Sequence, residues 1–305
     1  MPRLSQRLGA HLFIKRDDQT GLAAGGNKTR KLEFLVAEAL TQKANTLITI
    51  GAPQSNHARQ TAGAAAKAGL RCVLVLSGTA PAHVTGNILL DHLLGAQIVW
   101  AGERSREEVM EEVVVEERAA GRTPYPIPLG GSNALGAAGY VLAMTELKSQ
   151  LESRNITFDR IVFASSSGGT HAGLVVGQQL TGFAGQVLGL SVDHPAESLK
   201  SMVAKLATET ATLADQPRTY QPAEIVVNDD YLGAGYAQMG QPEREAIEVF
   251  AKTEGILVDP VYTGRAAAGL IDLIRRGAIG KDETVLFWHT GGAPALWAYA
   301  GQLTG

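Results

Sequence analysis

Short apolar runs alternating with amphipathic segments along nearly the whole chain limit its folds more than any other feature. The runs at 46–50, 72–76, 97–100, 125–127, 160–164, 187–192, 224–227 and 284–288 read as strands. Between and after them, 57–68, 86–94, 105–120, 137–151, 171–180, 196–211, 242–253, 264–276 and 293–302 read as helices. An extended piece at 13–18 precedes a further helix whose apolar residues at 32, 35, 36 and 39 share one face. Strands and helices in this order make βαβ units, parallel sheets and right-handed crossovers. A domain usually holds ~100–200 residues, so 305 residues predict two lobes or one large α/β unit. The Gly/Pro-rich stretch 126–136 reads as a passage between lobes.

A formal net charge of −3 argues against nucleic acid or an anionic membrane as the main partner. No apolar run approaches the ~18 residues of a membrane span, and no signal-peptide pattern opens the chain. The single cysteine, Cys72, lies in an apolar run, so no internal disulfide forms. These features predict a cytoplasmic enzyme.

In parallel sheets ligands gather where strands end and helices begin. Three such junctions are polar and glycine-rich: 50–57 around Gln54-Ser55-Asn56-His57, 164–171 around Ser166-Ser167-Gly168-Gly169-Thr170, and 288–292 around His289-Thr290. The second predicts a cup for one phosphate, because small residues lead straight into the unpaired N–H groups of a helix. It has neither the P-loop nor the dinucleotide spacing. The first junction offers the Ser55 hydroxyl and Asn56 amide as a cradle for a carboxylate. Capping explains either residue alone but not all four polar residues together. Asn27 is a natural N-cap, which puts Lys28 in the first turn of a helix with Lys31 close behind. Cations there oppose the macrodipole, so one lysine reads as a functional amine and the other as an anion holder. Tyr262 stands between a short strand and a helix, where a phenol can move a proton. The seven histidines form no metal-ligand spacing. An amine, a monophosphate cup and a carboxylate cradle without a metal suit pyridoxal 5′-phosphate acting on an amino acid.

The motifs Gly-Gly-Asn-Lys-Thr-Arg-Lys-Leu-Glu-Phe-Leu, Gln-Ser-Asn-His-Ala-Arg-Gln-Thr-Ala, Ser-Gly-Gly-Thr-His-Ala-Gly, Thr-Glu-Gly-Ile-Leu-Val-Asp-Pro-Val-Tyr-Thr-Gly and His-Thr-Gly-Gly-Ala-Pro-Ala-Leu run in order through the chain. In them it resembles the D-cysteine desulfhydrase and 1-aminocyclopropane-1-carboxylate deaminase family over nearly its whole length. The resemblance implies fold type II of the pyridoxal-phosphate enzymes, the tryptophan-synthase-β-like α/β fold. It also implies a small lobe at 43–136, a large lobe from 1–42 and 137–305, and a homodimer. By motif, Lys28 is the lysine that forms the Schiff base, and Ser55 lies beside the substrate carboxylate. Asn56 bonds the cofactor's phenolic oxygen, while Lys31 and the loop Ser166, Ser167, Gly168, Gly169 and Thr170 hold its phosphate. Tyr262 faces the substrate, and Thr290 meets the pyridine nitrogen.

Family members usually carry more residues ahead of the counterpart of Leu4. The cyclopropane-opening deaminases have a second catalytic tyrosine where Phe287 stands and Gln where His57 stands, which places both positions against the substrate and disfavours ring opening here. The expected reaction is therefore β-elimination on D-cysteine, releasing sulfide, pyruvate and ammonia. L-cysteate elimination comes next, followed by the deaminase reaction and racemisation. A non-catalytic protein keeping the fold is the alternative of another class; intact Lys28, Ser55, Asn56 and Tyr262 argue against it.

Overall fold

Strands that are apolar at consecutive positions need cover on both faces, and helices between them supply it. The computed structural model describes residues 1–304. In chain order its elements are α1 (Pro2–Leu8), β1 (His11–Arg16), α2 (Lys28–Thr41), β2 (Thr46–Gly51), α3 (Asn56–Ala68), β3 (Arg71–Leu76), α4 (Gly86–Leu93), β4 (Gln97–Trp100) and α5 (Arg106–Ala119). They continue as β5 (Pro124–Ile127), α6 (Ala134–Arg154), β6 (Arg160–Ser165), α7 (Gly169–Thr181), β7 (Gln186–Ser191), α8 (Ala196–Leu213), β8 (Val226–Asn228), α9 (Gln241–Glu254), α10 (Thr263–Arg275), β9 (Thr284–His289) and α11 (Ala300–Leu303).

The strands form a five-stranded sheet, β1-β9-β6-β7-β8, and a four-stranded sheet, β4-β3-β2-β5. Every strand pair is parallel. The carboxyl ends of β2, β6 and β9 are the three polar junctions. In β2 every residue is buried, as a parallel strand with two covered faces requires. On β9 successive side chains alternate faces. Leu286 and Trp288 enter the core shared with α6, α7 and α8, and Val285 and Phe287 enter the core under α9 and α10.

Several elements differ from the sequence expectation. Residues 2–8 form a helix carrying one buried anchor, Leu4, whose N–H donates to Glu254 Oε1 at 2.7 Å. The segment is too short to give a detectable period, so nothing in the pattern announced it. The expected helix at 293–302 is a 3-10 helix, Ala293–Tyr299, before the short α11. No strand precedes Tyr262. Residues 256–259 carry no regular secondary structure, and Asp259 turns the chain into α10 by accepting from the N–H groups of Val261, Tyr262 and Thr263.

One buried carboxylate joins the sheet to the helices beside it. Asp17, directly after β1, accepts from Arg30 Nε and Nη2 on α2, from the Tyr140 hydroxyl on α6 at 2.6 Å, and from Trp288 Nε1 on β9 at 2.8 Å. Only 1 % of Asp17 is exposed, so removing it strands several buried donors, the Arg30 cation among them. Asp17→Ala is expected to lower stability by ~3–5 kcal/mol, the range for breaking a buried ion pair, as measured by urea unfolding. A loss below ~1 kcal/mol, a surface-pair value, would show that Asp17 does not hold these elements together.

Candidate active site

Ahead of α2 the backbone is left-handed at Ala23 (φ 46°), Ala24 (φ 66°) and Gly25 (φ 69°). Glycine is required at 25, because a Cβ there would sit 2.0 Å from the Asp18 carbonyl oxygen. The tight loop brings the Asn27 N–H to Thr290 O at 2.9 Å, docking the start of α2 on the end of β9. Asn27 takes the N-cap position but its side chain does not cap the helix; Nδ2 donates instead to Thr170 Oγ1 at 3.0 Å. The expected capping bond is thus replaced by a link between two junctions.

Lys28 and Lys31, three residues apart, share a face of α2. Their amines lie close enough to shift each other's basicity, and no carboxylate stands among the groups acting on either one. Burial lowers the Lys28 pKa to about 8, with the neighbouring Lys31 opposing the shift. Burial also pushes Lys31 well below its ordinary value, helped by the charge on Lys28. Lys31 is fully buried, and its Nζ donates to Gly130 O and Ser132 Oγ, both at 3.1 Å. It therefore supports the loop at 129–132 from below, while Lys28 lines the cavity.

The phosphate-sized cup forms where β6 meets α7. Gly168 turns at φ 80°, and a Cβ on Gly169 would lie 2.6 Å from Ser132 Oγ and 2.7 Å from Lys31 Nζ. The hydroxyls expected to line the cup are engaged within the protein. Ser166 donates to Asp193 Oδ2 at 2.7 Å, Ser167 pairs with Ser132 at 2.8 Å, and Thr170 accepts from Asn27. The anion donors that remain are the Thr170 hydroxyl, which accepts from Asn27 and keeps its own hydrogen, and the first-turn N–H groups of α7 beyond Gly169, whose N–H goes to Ser132 Oγ at 3.2 Å.

On the other side, Ser55 caps α3, accepting from the Ala58 N–H at 3.1 Å, and still lines the cavity with its own hydrogen available to donate. Capping and cavity roles therefore coexist in one residue. Asn56 Oδ1 accepts from Arg59 Nη1 at 3.1 Å and Asn87 Nδ2 at 2.9 Å. This fixes the amide so that Nδ2 is the end left for a ligand. His57 closes the floor: its Nε2 pairs with Thr49 Oγ1 at 2.9 Å, and burial beside the two lysines drives its pKa well below the ordinary value. Thr290 directly follows β9 at the cavity wall. His171 and His289 are packing groups, bonded to Ser165 Oγ and Leu257 O.

Phe287 is not at the site. It lies in the core with its ring 5.3 Å from Phe250, on the β9 face turned away from the cavity. The expectation that it meets the substrate is corrected here, and the case against ring opening built on it falls as well. A second phenol comes from elsewhere: the Tyr236 hydroxyl is 2.6 Å from that of Tyr262, and both line the cavity. Burial, then the neighbouring Tyr236, pushes Tyr262 well above the ordinary phenol value. Burial also raises Tyr236. Tyr236, Asp193 and Ser132 went unrecognised in the sequence. The segment 228–240 around Tyr236 has no period to place it, and Asp193 and Ser132 matter only through partners distant in the chain.

The three junctions and both tyrosines enclose one cavity of about 540 Å³. A lysine of lowered basicity, an anion cup at a helix N-terminus and the carboxyl ends of two parallel sheets define a fold type II pyridoxal-phosphate enzyme. The chain belongs to the pyridoxal-phosphate dependent enzyme family, whose profile matches residues 1–291. It is 45% identical to a D-cysteine desulfhydrase of Yersinia enterocolitica over 99% of this chain and 93% of that protein. It is also 45% identical to one of Klebsiella pneumoniae, over 98% and 92%. A crystal structure of an ACC deaminase homologue superposes with a TM-score of 0.91 at 39% identity, covering 99% of this chain and 91% of that one. The cofactor is pyridoxal 5′-phosphate.

An amine with a pKa near 8 reacts as a nucleophile well below the pH at which a surface lysine does. In cofactor-stripped protein, acylation of Lys28 by a small reagent, followed by peptide mapping, is expected to rise with pH and level off above about 8. A rate still climbing at pH 10 would show that burial does not depress this amine.

Proposed function

We propose that the chain is a lyase that performs α,β-elimination on a small sulfur-containing amino acid, D-cysteine foremost, giving pyruvate, ammonia and sulfide. The 45% identity to two D-cysteine desulfhydrases supports the substrate. The observation that carries the chemistry is the cavity shared by the half-buried Lys28 amine and the tyrosine pair.

Lys28 would hold the cofactor through its amine, and the free amine would take the Cα proton; its lowered basicity suits it to do so near neutral pH. The α7 N-terminus with Gly168, Gly169 and Thr170 receives the phosphate, and Lys31 and Ser132 brace the cup from beneath. Ser166 and Ser167 shape its rim through Asp193 and Ser132. Asn56 Nδ2 would donate to the cofactor's phenolic oxygen, Thr290 would face its pyridine nitrogen, and Ser55 would donate to the substrate carboxylate. His57 backs the floor as a neutral ring. The bound cofactor supplies an electron sink for the pair left on Cα. Tyr262 and Tyr236, both held protonated, act as acids toward the leaving group. Overall one water enters, the Cα–H and Cβ–S bonds break, and sulfur leaves with its electron pair and a proton. Division into a small lobe at 43–136 and a large lobe from the flanks, a homodimeric assembly and a cytoplasmic location complete the reading. Among the described residues no helix is long and apolar enough to cross a membrane.

The second reading, opening of 1-aminocyclopropane-1-carboxylate, is favoured by one observation: two phenols 2.6 Å apart at the cavity wall, on the fold shared with the ACC deaminase homologue. Pyruvate and 2-oxobutyrate release from a panel of amino acids separates the two. D-cysteine is expected to be the faster substrate, and Tyr262→Phe to lower its kcat by ~10²-fold, the low end for a lost general acid because thiolate leaves readily. KM should move far less. Faster turnover of the cyclopropane would replace the first reading with the second, and an unchanged kcat in Tyr262→Phe would remove the phenol from the mechanism.

A further inference from the structure

Arg59, in the first turn of α3, is completely buried, and among the described residues it forms no ion pair. Burial lowers its pKa to about 10, which leaves it charged at neutral pH. Two carboxyl groups act on it from a distance, Asp91 and Asp259. Asp91 on α4 has both oxygens buried without a partner, and burial raises it to about 8, so near neutral pH it is mostly uncharged. Asp259 is taken up by the N–H groups that begin α10. A buried cation so placed is costly, and its bonds show where the charge is directed. Nη1 donates to Asn56 Oδ1 at 3.1 Å and to Asn87 Oδ1 at 2.8 Å, and Nη2 donates to Gly25 O at 2.6 Å. Asn87 Nδ2 donates in turn to Asn56 Oδ1 at 2.9 Å and to Gln54 O at 2.7 Å. A guanidinium has donors only, so neither amide can turn over without setting donor against donor.

An amide whose oxygen accepts from a cation is polarised, and its own N–H groups become stronger donors. Asn56 Nδ2 is the end left for a ligand, and a strengthened donor favours an acceptor with full negative charge over a neutral one. We propose that Arg59, steadied by Asn87, is a positioning residue that acts through the Asn56 amide to keep the phenolic oxygen of the bound cofactor ionised. The inference rests on the placing of Asn56 against that oxygen in the reading above. By holding the oxygen ionised, Arg59 and Asn56 would help retain a proton on the neighbouring nitrogen of Lys28. The bond from Nη2 to Gly25 O serves the same end, since it ties the cation to the tight loop that leads into Lys28. Gln54, which no catalytic role explains, belongs to this scaffold: its Oε1 accepts from the Asn87 N–H at 2.8 Å.

The absorption spectrum of the holoenzyme at neutral pH tests this without turnover, because the bound cofactor absorbs at longer wavelength with its phenolic oxygen ionised than with it protonated. Replacing a charge-assisted bond by a neutral one is worth ~5- to 10-fold in such an equilibrium. Arg59→Gln is therefore expected to lower the ratio of the long- to the short-wavelength band by that factor, and Arg59→Lys, which keeps the charge, to lower it less. Asn87→Asp sets a carboxylate on the same Nη1 and neutralises it, so it should shift the ratio in the same direction; it carries the test if Arg59→Gln does not fold. In an Asn56→Ala background Arg59→Gln is expected to change the ratio no further. An unchanged ratio in folded Arg59→Gln, or in Asn87→Asp where that variant stands in for it, would overturn the proposal. So would a fall in Arg59→Lys as large as in Arg59→Gln, or an equal effect of Arg59→Gln with and without Asn56. A shift in Asn56→Ala with none in the Arg59 variant would leave Asn56 on the phenolic oxygen and remove Arg59 from it. No shift in Asn56→Ala would overturn the placing of Asn56 and the proposal with it.

Discussion

Two neighbouring lysine amines on one face of α2, with no carboxylate acting on either, are the constraint on which the site depends. Desolvation alone costs a charged amine several kcal/mol, and a second amine close by adds to the cost. Lys31 answers it by giving its donors to Gly130 O and Ser132 Oγ and by losing basicity. Lys28 answers it by facing the cavity with a pKa of about 8. A phosphate held in the cup would supply the missing negative charge, and the Lys28 amine in the cavity would hold an aldehyde. Pyridoxal phosphate brings both in one molecule. The Asp17 node and the Asn27–Thr170 bond hold α2 to β9 and α7, so the lysines stay opposite the cup.

The parallel α/β architecture was legible because its strands are apolar at nearly every position and its helices have clear stripes. The junctions were legible because clusters such as Gln54-Ser55-Asn56-His57 exceed what capping needs. Their internal bonding was not. Ser166 looks like a phosphate donor in sequence, yet Asp193, far along the chain, takes its hydrogen. Asn27 looks like a cap, yet its amide crosses to Thr170. Such pairings depend on how βαβ units stack, which local pattern does not encode.

Phe287 and Tyr236 show the same limit from opposite directions. In a strand buried on both faces, apolar alternation cannot say which face turns toward a cavity; β9 sends Phe287 into the core beside Phe250. Tyr236 lies in an irregular segment at 228–240, where no periodicity assigns an orientation, and it is brought against Tyr262 by the turn that Asp259 organises. The loss of one expected aromatic and the gain of another shift the chemical balance, since the cavity holds two phenols rather than one. Protonated phenols on one wall and the Lys28 amine also lining the cavity suit an elimination in which one group removes a proton and the others give one.

The central claim, that Lys28 rather than Lys31 is the amine joined to the cofactor, is tested most directly by borohydride reduction of the holoenzyme followed by peptide mapping. The reduced cofactor should be found on Lys28 alone, because Lys31 is fully buried and bonded beneath the loop at 129–132. A label on Lys31, or on no residue of α2, would contradict the account.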